Sequence, residues 1–188
     1  MSPLAGTTLA TAACCAALTG TAQAGSTPPV VTVSSPHYTG YHVPSTSMEP
    51  TLHCAKPAAG CQGRFPDRIE VDKRRTRPER GTIVVFRTPP AALRACGAGG
   101  TFIKRVIGLP GETWAEKKGI LSIDGKPLRE PYLRRERRDF ETYRGGRIAA
   151  GHYLLLGDNR TQSCDSRIWG TVPQRNLVGE VVKIYRQR

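Results

Sequence analysis

The sequence predicts a mainly β protein, an antiparallel β-sheet body with a small inserted β subdomain behind an N-terminal apolar helix. Three observations predict it. Short β-branched runs bounded by Gly or Pro recur through the downstream chain, an uncharged stretch fills the front, and an arginine-rich segment interrupts the strands. A chain of 188 residues holds one domain of ordinary size with a modest insertion or tail. With 38% hydrophobic residues it can bury a core, which excludes disordered and collagen-like classes.

Residues 4–24, LAGTTLATAACCAALTGTAQA, carry no charge and are long enough to cross a hydrocarbon layer of ~30 Å as a helix. The stretch is Ala- and Thr-rich and ends in Ala22-Gln23-Ala24, which also has the form of a signal-peptide cleavage site. Membrane anchor is the leading reading, ahead of a cleaved signal and of a soluble Ala/Thr-rich tail. Before Lys56 the single charged side chain is Glu49, so charge asymmetry gives no orientation.

Residues 25–42, rich in Ser, Thr, Pro and Gly, read as a linker into a strand, and 43–188 as the body. Within it Thr82–Phe86, Thr101–Ile107, Tyr153–Leu156 and Leu177–Ile184 read as strands. Ile120–Ile123 followed by Asp124-Gly125 reads as a hairpin. No helix of any length is expected after residue 24. The segment from about 112 to 148 holds the arginine cluster and reads as the inserted subdomain.

Lys and Arg number 28 against 15 Asp and Glu, a formal net charge of +13. Such a balance favours an anionic neighbour and says nothing about chemistry. The plain reading of the arginine cluster is a solvated face. Among partners an anionic membrane surface is preferred, and nucleic acid is not expected.

Of six cysteines, Cys14 and Cys15 lie in the apolar stretch, whereas Cys54, Cys61, Cys96 and Cys164 lie downstream. Outside the cytoplasm those four suggest two disulfides, with three possible pairings. Zinc is not supported, because no pair has C-x-x-C spacing and His37, His42, His53 and His152 supply no matching H-x3–5-H.

Three segments carry unusual local chemistry: Pro44 to Leu52, Phe102 to Glu112, and Gly157 to Arg167. Singly each has an ordinary explanation: a turn serine, a strand lysine reaching to water, a polar turn. In this order and spacing they resemble the bacterial type I signal peptidase family. S-x-S-M-x-P-T-L falls at Ser45 to Leu52, around Ser47. K-R-x-x-G-x-P-G-[DE] falls at Lys104 to Glu112, and G-D-N-x-x-x-S-x-D-S-R at Gly157 to Arg167. A strand of G-[DT]-I-V-V-F type, Gly81 to Phe86, lies between the first two. The resemblance covers Val43 to Val172. Lysine in the second motif marks the Ser/Lys kind, since relatives of the endoplasmic-reticulum type carry histidine there. Departures are Thr82 where an acidic residue is common, Phe102 for a frequent Tyr, the extra cysteines and the weak apolar stretch.

The resemblance implies a serine endopeptidase that removes signal peptides from exported preproteins, a monomer without cofactor or metal, on the extracytoplasmic side of the cell membrane. Ser47 would be the nucleophile and Lys104 its general base. A free lysine of pKa ~10.4 is neutral in only ~4 of 10⁴ molecules at pH 7, so the site must lower that value. Strand alternation sets Phe102, Lys104 and Val106 on one face and Arg105 on the other. The Ser47 N–H and the Ser45 hydroxyl would hold the oxyanion. Ser163 would orient the Lys104 amine, and Asp165 would pair with Arg105 and Arg167. Val43, Met48, Leu52, Phe102 and Ile103 would line two shallow pockets for small substrate side chains. Cys54 and Cys61 enclose a short segment containing Pro57 and Gly60, which favours their local pairing, and the site so assembled brings Ser163 toward Lys104, which pairs Cys96 with Cys164. Rival readings are a narrow-specificity or self-cleaving peptidase with the same residues, and a catalytically silent membrane-tethered binding module.

Overall fold

The computed structural model describes residues 36–58 and 60–186. The expected N-terminal apolar helix lies outside them. Among the described residues no helix is long and apolar enough to cross a membrane.

Among the described residues eleven strands and two short α-helices follow in chain order: β1 Tyr38–His42, β2 Arg68–Asp72, β3 Ile83–Arg87, α1 Pro90–Cys96, β4 Thr101–Gly108, β5 Thr113–Lys117, β6 Ile120–Ile123, β7 Lys126–Pro127, β8 Tyr143–Arg147, β9 His152–Leu156, α2 Ser166–Trp169, β10 Val172–Pro173 and β11 Leu177–Tyr185. Seven form one sheet in the order β1-β2-β11-β3-β4-β9-β10, and four form another in the order β7-β6-β5-β8. Every neighbouring pair is antiparallel. The small sheet spans 113–147, within the stretch read as an insertion. Strand β1 occupies the end of the stretch read as linker, where its partner β2 fixes it as the sheet's edge.

The run Tyr153-Leu154-Leu155-Leu156 is apolar throughout because β9 is buried on both faces. Tyr153 and Leu155 join Val84, Phe86, Val106 and Trp169 in one core. Leu154 and Leu156 meet Trp114, Leu121, Ile123 and Ile148 in another, which binds the small sheet to the large one. A third core, Val43, Met48, Leu52, Ile69, Val71, Val85 and Ile103, lies under the first motif. Burying the Leu156 side chain alone contributes about 2 kcal/mol.

The Asp124-Gly125 hairpin forms as expected, with φ 49° and 75° in the two-residue loop between Ile123 and Lys126. Lys118-Gly119, at φ 49° and 73°, makes a second such turn between Lys117 and Ile120. The helices were not expected. Helix α1 begins at Pro90, whose fixed φ suits the first turn, and ends at Gly97 in the left-handed region at φ 65°. Helix α2 is a single turn capped by the Asp165 side chain, which accepts from Arg167 N–H.

Candidate active site

Ser47 lies in a one-turn 3₁₀ helix, Thr46–Met48, on the approach from β1, and Lys104 lies on β4 between β3 and β9. Met48 and Leu52 are fully buried in the core beneath, which fixes the turn against the sheet. Lys104 is 3% exposed, and its Nζ donates to Ser47 Oγ at 2.7 Å and to the Ile103 carbonyl at 3.1 Å. The Phe102 ring stands 5.5 Å from the amine. Burial therefore pushes the Lys104 pKa down to about 8, while the negative charges of Asp165 and Asp158 hold it up against that fall. A lysine so placed supplies a substantial neutral fraction near neutral pH, which an exposed one does not.

Ser45 Oγ is 3.3 Å from Ser47 Oγ and is exposed to the groove. Both line a cavity of about 670 Å³ together with Val43, Met48, Phe102, Ile103 and Lys104. Leu52 does not reach it. Having packed with Ile69 and Val71 behind the turn, it supports the wall from beneath. Tyr41, His42, Gln162 and the Gly99-Gly100 segment also line it and were not anticipated, since none belongs to a motif position with chemistry of its own. The edge placement of β1, the loop from α1 into β4 and the return of the third motif bring them there.

The third motif acts differently from expectation. Asn159 clamps the serine turn: its N–H donates to the Ser47 carbonyl at 3.1 Å and its Nδ2 to the Thr46 carbonyl at 3.1 Å. Asp158, and not Asp165, pairs with Arg105, whose Nε lies 2.8 Å from Oδ1. The Arg105 guanidinium also donates to the Gly81 carbonyl at 2.7 Å and covers the Tyr132 ring at 4.0 Å. Asp158 stands two residues past Leu156, the β9 residue in register with Arg105 on β4, so it reaches Arg105 first. Asp165 instead accepts Gly157 N–H at 3.1 Å and Arg167 Nε at 2.9 Å, the half of its expected pairing that does form.

Ser163 Oγ is buried and makes no hydrogen bond to the Lys104 amine or to any other described group. It presses on Gly157, where a Cβ would lie 2.3 Å from it and 2.4 Å from the Ser47 carbonyl oxygen. The expected Ser163–Lys104 bond is thus absent, and the Ile103 carbonyl takes its place. The close approach also explains why glycine precedes Asp158-Asn159.

Glu49 is fully buried and gathers the loop behind Ser47. Its Oε1 accepts N–H bonds from Cys54 at 3.1 Å and Gln62 at 2.9 Å, and its Oε2 lies 2.7 Å from His53 Nδ1. Cys54 is bonded to Cys61 and Cys96 to Cys164, with Cα separations of 5.0 and 6.2 Å. The second bond lies in the cavity wall. No group of three or more His, Cys, Asp or Glu among the described residues is arranged to hold a metal.

Fold and site together define a β-sheet protein with a buried serine–lysine pair at the floor of an open groove. The chain belongs to the signal peptidase family, peptidase S26, whose family model matches residues 22–186. It is 40% identical over 143 residues to a probable signal peptidase I-2 of Synechocystis sp., covering 73% of this chain and 58% of that one. A signal peptidase I of Leptolyngbya laminosa is 39% identical over 148 residues, covering 75% and 65%. The chain thus spans less than two thirds of the length of these two relatives. A crystal structure of a signal peptidase I from Enterococcus faecalis aligns at 31% identity with a TM-score of 0.42, over 56% of this chain and 97% of that one.

Proposed function

We propose that the chain is a serine endopeptidase that removes N-terminal signal peptides from exported preproteins, working at the extracytoplasmic face of the cell membrane. The observation that carries this reading is the 2.7 Å contact between Lys104 Nζ and Ser47 Oγ in a site buried enough to bring the amine to about 8. Membership of the signal peptidase family supplies the substrate class.

In this mechanism the neutral Lys104 amine takes the Ser47 proton as Oγ attacks the scissile carbonyl. The tetrahedral oxyanion accepts hydrogen bonds from Ser47 N–H and Ser45 Oγ, a donor of this kind contributing about 3 kcal/mol. Collapse passes the proton from Lys104 to the leaving amine. Water, deprotonated by the same lysine, then releases the signal peptide from Ser47. The permanent charge of Arg105 is held on Asp158 and away from the amine, which keeps it from depressing the base further. An extended substrate beside the groove would place small side chains against Val43, Met48, Phe102 and Ile103. Ser163, Asp165 and Arg167 support the loop that carries Asn159.

The test is incubation of the purified protein with a panel of unrelated preproteins and N-terminal sequencing of the products. Cleavage after small residues across the panel supports the reading. Cleavage of one substrate alone, or of the protein's own Ala22-Gln23-Ala24 stretch alone, would assign a narrow or self-processing peptidase. The intact serine–lysine contact weighs against a silent binding module.

A further inference from the structure

Asn159, which holds the Ser47 and Thr46 carbonyls, is itself held from both sides by the inserted segment. Its two chain neighbours are the buried ions Asp158 and Arg160. Asp158 is paired with Arg105 of β4, and Arg105 lies on the Tyr132 ring. Arg160 is paired with Glu130, its Nη2 donating to Oε1 and its Nη1 to Oε2 at 3.4 Å. The Tyr132 hydroxyl donates to the same Glu130 Oε1 at 2.8 Å. These contacts close a ring that runs from Glu130 through Arg160, Asn159, Asp158, Arg105 and Tyr132 back to Glu130.

Glu130-Pro131-Tyr132 follows β7 and lies outside the three motifs. The turn that presents it is anchored: Leu128 N–H donates to the Leu121 carbonyl at 2.8 Å and Leu133 N–H to the Glu130 carbonyl at 3.1 Å. Leu128 and Tyr132 pack on the core that binds the small sheet to the large one. Both side chains of the Glu130–Arg160 pair are 1% exposed, so desolvation offsets much of their attraction and the pair is a weak source of net stability. What a forked guanidinium–carboxylate contact does supply is geometry. Arg160 Nε also donates to the Gly157 carbonyl at 3.0 Å, so the orientation of one guanidinium sets the loop on both sides of Asp158-Asn159. Burial, and then the Glu130 charge, push the Tyr132 phenol above its ordinary range, which keeps it a donor.

We propose that Glu130 and Tyr132 are positioning residues for the nucleophile, acting through Asn159: they fix the loop that holds the Ser47 carbonyl and so aim Ser47 Oγ and the Ser47 N–H. This rests on the reading of Ser47 as a peptidase nucleophile, and it gives the inserted segment a part in the reaction.

The test measures kcat and KM for preprotein cleavage by the full chain, with hydrogen exchange at the Asn159 amide, which is bonded to the Ser47 carbonyl. Glu130→Gln keeps the shape and removes the charge. It should lower kcat roughly 5- to 10-fold with KM within about twofold, and quicken the exchange by a similar factor. Tyr132→Phe keeps the ring on Arg105 and loses the hydroxyl, for a change of about threefold in both, and it carries the test should Glu130→Gln not fold. On an Asn159→Ala background either substitution should lower kcat by less than about twofold more, since the amide that transmits its effect is gone. Leu128→Ala, in the same segment but outside the ring, should lower the melting temperature and leave kcat unchanged. Unchanged kcat in both variants, full additivity with Asn159→Ala, or an equal fall in Leu128→Ala overturns the proposal. If the parent cleaves no preprotein the peptidase reading fails, and the exchange at Asn159 still decides whether Glu130 and Tyr132 hold the serine turn.

Discussion

Lys104 Nζ donates to Ser47 Oγ at 2.7 Å across 57 residues of sequence. Since burial brings this amine to about 8, the base form gains as pH rises through that value. If this amine is the base, kcat/KM should climb about tenfold per pH unit below 8 and level above it. A limb near pH 4, flat at higher pH, would indicate a carboxylate base instead.

The same burial weakens the fold. A lysine moved from 10.5 to about 8 destabilises the native state by on the order of 3 kcal/mol at any pH below 8, where both states carry the proton. Between 8 and 10.5 the unfolded chain holds a proton that the folded one does not, so stability rises with pH and the penalty disappears. Lys104→Met should therefore be more stable than the parent at pH 7 in denaturant unfolding, with the difference gone above pH 10.5.

Glu116 bends the curve the other way. Its carboxyl, buried beside Arg167 with neither oxygen hydrogen-bonded, is pushed up from 4.5 to about 7 by desolvation. Its contribution is fully present below 4.5 and lost as pH rises through 7. Glu116→Gln should flatten the stability profile between those values, and an unchanged slope would show that the group titrates normally.

Asn159 holds the carbonyls of Ser47 and Thr46. Asn159→Ala removes the side-chain bond and should lower kcat roughly 5- to 10-fold with little change in KM, as for one lost hydrogen bond that positions the nucleophile. Ser163→Ala should change the rate by less than ~10²-fold, because its hydroxyl makes no hydrogen bond to the base.

The two disulfides should differ in effect. In the loop-entropy model closure between Cys54 and Cys61 contributes about 2.5 kcal/mol and closure between Cys96 and Cys164 about 4.4. The second also ties the Ala98–Gly100 segment of the groove wall to the loop before Asp165. Replacing Cys96 and Cys164 by Ser should lower both melting temperature and activity, whereas replacing Cys54 and Cys61 should act mainly on the loop after Leu52. Activity untouched by the first replacement would separate the wall from catalysis.

Strands whose residues prefer the sheet were legible: Ile83–Arg87, Thr101–Gly108 and Leu177–Tyr185 are β-branched runs that need no distant information. Strand β8, Tyr-Arg-Gly-Gly-Arg, carries no such preference and is extended because β5 pairs with it, with Gly145 packed against the Trp114 carbonyl. Helix α1 was signalled by Pro90 and Gly97, but seven residues give too short a period to read against the surrounding loop. At the site, the motifs carried Ser47 and Lys104 to within bonding distance. They could not tell which aspartate meets Arg105, because Asp158 and Asp165 both follow β9 closely and only strand register separates them.

The central claim is that Lys104 is the base of Ser47, and Lys104→Arg tests it most directly. A guanidinium keeps the charge and much of the reach but stays protonated near neutral pH. Assayed on a preprotein beside Ser47→Ala and the parent, Lys104→Arg should be as inactive as Ser47→Ala, below ~1% of the parent rate, while remaining folded. Retention of more than that would contradict the serine–lysine mechanism.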